Sequence, residues 1–61
     1  MPVITLEAGQ LSKVQKEQLA TELTASAARI TGIPEAGFYI FLKENAPENI
    51  AVGGTLLSDK H

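Results

Sequence analysis

The sequence predicts an α+β fold: one strand–helix–strand unit with a short C-terminal hairpin, a two-layer sandwich completed by copies of the same chain. Three observations carry this. Residues 3–8 alternate in polarity, residues 13–31 carry a capped helical stripe, and the whole chain is only 61 residues with no cysteine and one histidine. A chain of this size buries about 60% of the surface its unfolded form exposes, and usually needs a disulfide, a metal or association to be stable. Disulfides and a Cys/His zinc site are excluded by composition, which leaves association.

The elements follow in order. In Val3 to Ala8, Ile4, Leu6 and Ala8 point one way and Val3, Thr5 and Glu7 the other, which predicts a strand with one face covered. Gly9-Gln10-Leu11 forms a turn. Ser12-Lys13-Val14-Gln15 fits a capping box, so a helix starts at about Lys13. It runs to about Thr31, where Gly32 can enter the left-handed conformation and Pro34 prevents the helix from resuming. Leu19, Ala20, Leu23, Ala27 and Ile30 form its inward stripe, with Lys16 near its start. Arg29, Val14, Ala25 and Ala28 fall on the outer arc. After a connector over residues 33–37, Phe38 to Lys43 predicts a second strand. Phe38, Ile40 and Leu42 lie on one side and Tyr39, Phe41 and Lys43 on the other, and both faces are apolar enough to be covered. Glu44 to Asn49 is a polar turn around Pro47. Ile50-Ala51-Val52 and Thr55-Leu56-Leu57 flank Gly53-Gly54 as a two-residue hairpin, and Ser58 to His61 is a frayed tail.

Composition narrows the function. The chain is 44% hydrophobic, which is globular, and its net charge of −2 gives no reason to expect a nucleic acid or an anionic membrane as partner. No apolar run is long enough for a membrane span and no signal peptide is evident, so a cytoplasmic location is expected. His61 stands alone at the C-terminus, so neither a metal centre nor a Ser-His-Asp arrangement is expected. Gly53-Gly54 lacks the phosphate-loop and dinucleotide patterns.

The N-terminus offers chemistry. Met1 is commonly removed before a small residue, which would leave Pro2 with a free secondary amine. A free α-amine titrates near pH 7.7–8.0, and desolvation lowers that value toward neutrality, where general-base catalysis is efficient. The plainer reading is a proline tolerated at the start of an edge strand.

The ordered set Met1-Pro2-Val3-Ile4, Gly9, Ser12, Gln15-Lys16, Gly32-Ile33-Pro34, Phe38-Tyr39-Ile40-Phe41-Leu42-Lys43-Glu44 and Val52-Gly53-Gly54 spans nearly the whole chain. It resembles the 4-oxalocrotonate tautomerase family, and in particular its DmpI-like 2-hydroxymuconate tautomerase subgroup. The resemblance implies the tautomerase fold, a homohexamer built as a trimer of dimers, and no cofactor. It also implies Pro2 as the catalytic base, acting on a small unsaturated keto or enol acid.

The family places an arginine after the glycine that ends the first strand, and here Gln10 is the nearest match. A second family arginine corresponds to Tyr39, and a phenylalanine before the Gly-Gly hairpin corresponds to Ile50. The only arginine in this chain is Arg29. Tyr39 can donate a hydrogen bond in place of a guanidinium, and Lys43, on the same strand face, can supply charge. Each also has a purely structural reading: Tyr39 and Phe41 as interface core, Lys43 as a solvated edge charge, and Ile50 as hairpin packing. Two alternatives stay open beside the tautomerase. One is a non-catalytic oligomeric binding module, motivated by the missing arginines. The other is a hydratase or dehalogenase acting on unsaturated acids.

Overall fold

The structure, a computed structural model, describes residues 1–60, so the readings that involve His61 lie outside the described residues. Strand β1 (Val3–Ala8) and strand β2 (Tyr39–Glu44) pair in parallel, joined by helix α1 (Lys13–Thr31). The register runs Val3 with Tyr39, Ile4 with Ile40, Thr5 with Phe41, Leu6 with Leu42, Glu7 with Lys43 and Ala8 with Glu44. The small hairpin pairs β3 (Ala51–Val52) with β4 (Thr55–Leu56). Gly53 and Gly54 have φ of 61° and 86°. Positive φ at both positions matches the two-residue turn whose twist suits a hairpin, and glycine adopts it without a steric penalty.

The helix boundaries agree with the sequence reading because both ends are chemically marked. Ser12 Oγ accepts the Gln15 N–H at 3.1 Å, and Gln15 Oε1 accepts the Ser12 N–H at 2.9 Å. At the other end Gly32 takes φ 76° and donates its N–H to the Ala28 carbonyl at 2.9 Å.

Three details differ from expectation. The second strand begins at Tyr39, because the Phe38 N–H is taken by the Glu35 carbonyl in a 3₁₀ turn (Glu35–Gly37). The ladder starts one residue later, with the Tyr39 N–H donated to the Pro2 carbonyl at 3.0 Å. Ile30, expected on the inward stripe, is 74% exposed, whereas Thr24 and Ala28 are half-buried. A 19-residue helix spans about 28 Å, and six-residue strands span about 20 Å, so the last turn overhangs the sheet. Finally, Leu57–Asp59 in the expected tail forms a 3₁₀ turn, and the Leu57 N–H extends the hairpin by bonding the Ile50 carbonyl at 2.8 Å.

One sheet face is occupied and the other is open. Ile4, Leu6, Ile40 and Leu42 are half-buried on the α1 side, where α1 meets β2. On the opposite face Val3, Tyr39 and Phe41 are 48%, 51% and 48% exposed. The chain therefore covers only one of the two apolar faces of β2. No side chain among the described residues is fully buried. The accessible surface is 4677 Å², against roughly 3,800 Å² for a compact monomer of this mass. The radius of gyration is 15.0 Å, where a compact chain of this length has about 10.5 Å. Both excesses describe a subunit shape rather than a self-sufficient monomer.

Candidate active site

Pro2 lies immediately before β1, where its carbonyl accepts the Tyr39 N–H. That bond fixes the residue at the start of the sheet, half-buried, while Met1 beyond it is 83% exposed. With Met1 attached, the Pro2 nitrogen is a tertiary amide without basicity. With Met1 removed it is a secondary amine at the same place. Tyr39 is the neighbour supplied by β2, and its side chain shares the open face with Val3 and Phe41. This end of the sheet thus presents an apolar surface with one phenol hydroxyl.

The other candidate residues lie at the far end of the strands. Lys43 stands opposite Glu7 in the register, and among the described residues it makes no ion pair. Gln10 is exposed in the turn between β1 and α1. Ile50 is half-buried and lines an open hollow of about 600 Å³ together with Glu7, Asn45 and Asn49. At about 3.3 Å per residue, the length of β1 separates this group from Pro2 by roughly 20 Å. Tyr39 and Lys43 do share a strand face, as the alternation predicts, but four residues of strand hold them about 13 Å apart. One subunit thus brings Pro2 and Tyr39 together and places Gln10, Lys43 and Ile50 toward the other end of the strands. A small acid cannot touch both groups on a single chain.

A second hollow, of about 440 Å³, runs along the flank of α1 between Leu11, Leu19 and Leu23 and contains none of the candidate residues. Among the described residues, no three His, Cys, Asp or Glu side chains converge on a possible metal position. No helix among them is long and apolar enough to cross a membrane.

The most connected polar side chain at the far end is one the sequence reading left as a turn residue. Glu44 Oε1 lies 2.8 Å from Lys16 Nζ, and Glu44 Oε2 accepts the Leu11 N–H at 2.8 Å. The hydrogen bond from Lys16 and then the Leu11 N–H hold the Glu44 carboxyl below the usual carboxylate range; desolvation opposes them, and the lysine charge adds a still smaller lowering. The next residue, Asn45, donates its backbone N–H to the Ala8 carbonyl at 2.7 Å and its amide Nδ2 to Glu7 Oε1 at 3.1 Å. A signal for the ion pair was present in the sequence. Glu44 has the strand parity of Ile40 and Leu42, and Lys16 lies on the inward stripe of the helix, so both ends of the pair face the same interior.

Comparison with known proteins bears on this arrangement. The tautomerase family profile, described as "Tautomerase enzyme", matches residues 2–60. A probable tautomerase of Bacillus cereus is 38% identical over 61 residues, covering 98% of this chain and 100% of the relative. The crystal structure of DmpI from Archaeoglobus fulgidus superposes with a TM-score of 0.83 at 33% identity, covering 95% of this chain and 100% of that one. A heterohexamer 4-oxalocrotonate tautomerase from Chloroflexus aurantiacus superposes with a TM-score of 0.85 at 27% identity, with both chains fully covered.

Proposed function

Because this chain belongs to the tautomerase family, we propose that it is a cofactor-independent isomerase. It converts 2-hydroxymuconate-like dienols to conjugated keto acids, with the Pro2 nitrogen, freed of Met1, as general base and then general acid. The observation that carries this reading is the placement of Pro2. Its carbonyl is tied to β2 by the Tyr39 N–H, and the residue is half-buried at the end of a sheet whose one face, Val3, Tyr39 and Phe41, is open. An amine covered by another copy at this end of the sheet would be desolvated, which disfavours its protonated form and leaves it neutral near pH 7.

The chemistry needs one base. The neutral amine takes the enol hydroxyl proton and becomes an ammonium, while the oxygen's electron pair forms the carbonyl and pushes the double bonds along the chain. The ammonium then returns the proton to a carbon of the conjugated system. Protons and electrons balance, and no redox partner enters. The dienolate between the two steps is stabilised by donors placed around its oxygens. In this reading the Tyr39 hydroxyl is the donor nearest Pro2, while Gln10 and Lys43 meet the acid group and Ile50 forms an apolar wall.

The separation of the two groups on one chain supports a site shared between copies. We take the assembly to be a homohexamer arranged as a trimer of dimers, in which one subunit's Pro2 faces another's Gln10, Lys43 and Ile50. Copies seated on the open face would also cover Tyr39 and Phe41.

The test is ketonisation of 2-hydroxymuconate, followed by ultraviolet absorbance, using protein whose intact mass shows the loss of Met1. Pro2→Ala should lower kcat/KM by about 10²-fold or more while leaving the assembly unchanged. Full activity in Pro2→Ala would remove Pro2 from the mechanism. Turnover of chloroacrylates without ketonisation of the dienol would favour the hydratase or dehalogenase alternative.

A further inference from the structure

We infer that Glu44 is a positioning residue for substrate binding, acting through the Leu11 N–H to fix where Gln10 stands. This rests on the tautomerase reading, in which Gln10 contacts the substrate acid group.

A peptide unit is planar, so a hydrogen bond to its N–H or its carbonyl orients the whole unit. The Leu11 N–H belongs to the plane that joins Gln10 to Leu11, and Glu44 Oε2 holds it at 2.8 Å. The Ala8 carbonyl belongs to the plane that joins Ala8 to Gly9, and the Asn45 N–H holds it at 2.7 Å. The Ser12 N–H, in the plane after Leu11, is held by the capping box at 2.9 Å. Between these clamps, the Gly9–Gln10 plane is the one that no hydrogen bond among the described residues holds. Two consecutive residues at the end of β2 thus pin both sides of a two-residue span that contains glycine, the residue with the most conformational freedom to lose.

Glu44 is suited to this as an acid rather than as a neutral acceptor. Its other oxygen is anchored by Lys16, so the carboxylate is oriented before it meets the Leu11 N–H, and hydrogen bonds to a charged acceptor are the stronger kind. Each oxygen already has a partner, so Glu44 acts on binding through the turn. Without the Leu11 bond the turn would sample other conformations, and the fraction of subunits with Gln10 in place would fall. The loss appears in KM, while the proton transfer at Pro2 is untouched.

The chain is short enough for total synthesis starting at Pro2, which also supplies the free amine. Replacing the Leu11 N–H by an ester oxygen deletes one donor and leaves every side chain in place. The ester variant should raise KM for 2-hydroxymuconate roughly tenfold with kcat within about threefold. Gln10→Ala should do the same, and the ester combined with Gln10→Ala should be no worse than either alone, because both remove one interaction. Lys16→Met, which removes the anchor but leaves Glu44 able to accept the Leu11 N–H, should raise KM by less than the ester does. An unchanged KM in the ester variant, additive effects of the two changes, or a Lys16→Met variant as impaired as the ester would each overturn the assignment. Inactive unmodified synthetic protein would overturn the tautomerase reading, and the substrate role of Gln10 with it. In that case faster hydrogen exchange at the Asn45 N–H, which the Ala8 carbonyl holds on the other side of the turn, in the ester variant than in the parent would still show the clamp on the turn, separating the two failures.

Discussion

Replacing Phe41 with alanine should weaken self-association. Phe41 sits in the middle of the open face, paired with Thr5, and is 48% exposed in the single subunit. A phenylalanine side chain carries on the order of 200 Å² of apolar surface, so about 100 Å² remains to be covered. At about 25 cal/mol per Å², covering that area stabilises the assembly by roughly 2.5 kcal/mol per subunit. Phe41→Ala should therefore raise the dissociation constant of the contact on this face by about 50-fold or more. The subunit fold should persist, because Phe41 points away from α1. Sedimentation equilibrium over a dilution series reads the effect, with circular dichroism as a control on folding. An unchanged association constant in a folded Phe41→Ala protein would mean that this face is not covered by another copy. The surplus of nearly 900 Å² of accessible surface over a compact monomer would then need another explanation.

Other outcomes follow from local chemistry. The Glu44 carboxyl is held below its ordinary range, so the folded state favours its charged form. Its contribution is complete above the unfolded carboxyl value of about 4.3 and is lost as pH falls below that value through the folded one. In acid titrations of stability, wild type and Glu44→Gln should converge at the acid end and separate above it; a gap that widens toward low pH would contradict the sign. Gly32→Ala should cost about 1–2 kcal/mol, read as a lower Tm, because φ is 76° while the space around a new Cβ is open. Ser12→Ala should cost about 1 kcal/mol by removing the acceptor for the Gln15 N–H, and a variant as stable as wild type would deny the cap a role.

What the sequence disclosed follows from where the determining contacts lie. The helix ends were legible because Ser12, Gln15 and Gly32 settle them locally. The first strand was legible because its alternation meets one covered face. Ile30 was misplaced because a helical wheel has no information about where the sheet beneath it stops. Phe38 was misplaced because a 3₁₀ turn takes its N–H, a competition that residue type does not announce. At the candidate site, alternation placed Tyr39 and Lys43 on one face, but a face is not a point, and strand rise holds them apart. Glu44 reads as a turn acid in the sequence because its partners, Leu11 and Lys16, are 33 and 28 positions away. The division of the candidate residues between the two ends of the sheet depends on the parallel register, and how copies reunite them is a property of assembly.

The central claim is that the Pro2 nitrogen, once Met1 is gone, is an uncharged base covered by neighbouring subunits. Its pKa, measured by nitrogen NMR on protein labelled at Pro2 and shown by mass to lack Met1, tests this most directly. The account predicts a value clearly below the roughly 7.7–8.0 of an ordinary α-amine. A value within that ordinary range, in fully assembled protein, would contradict it.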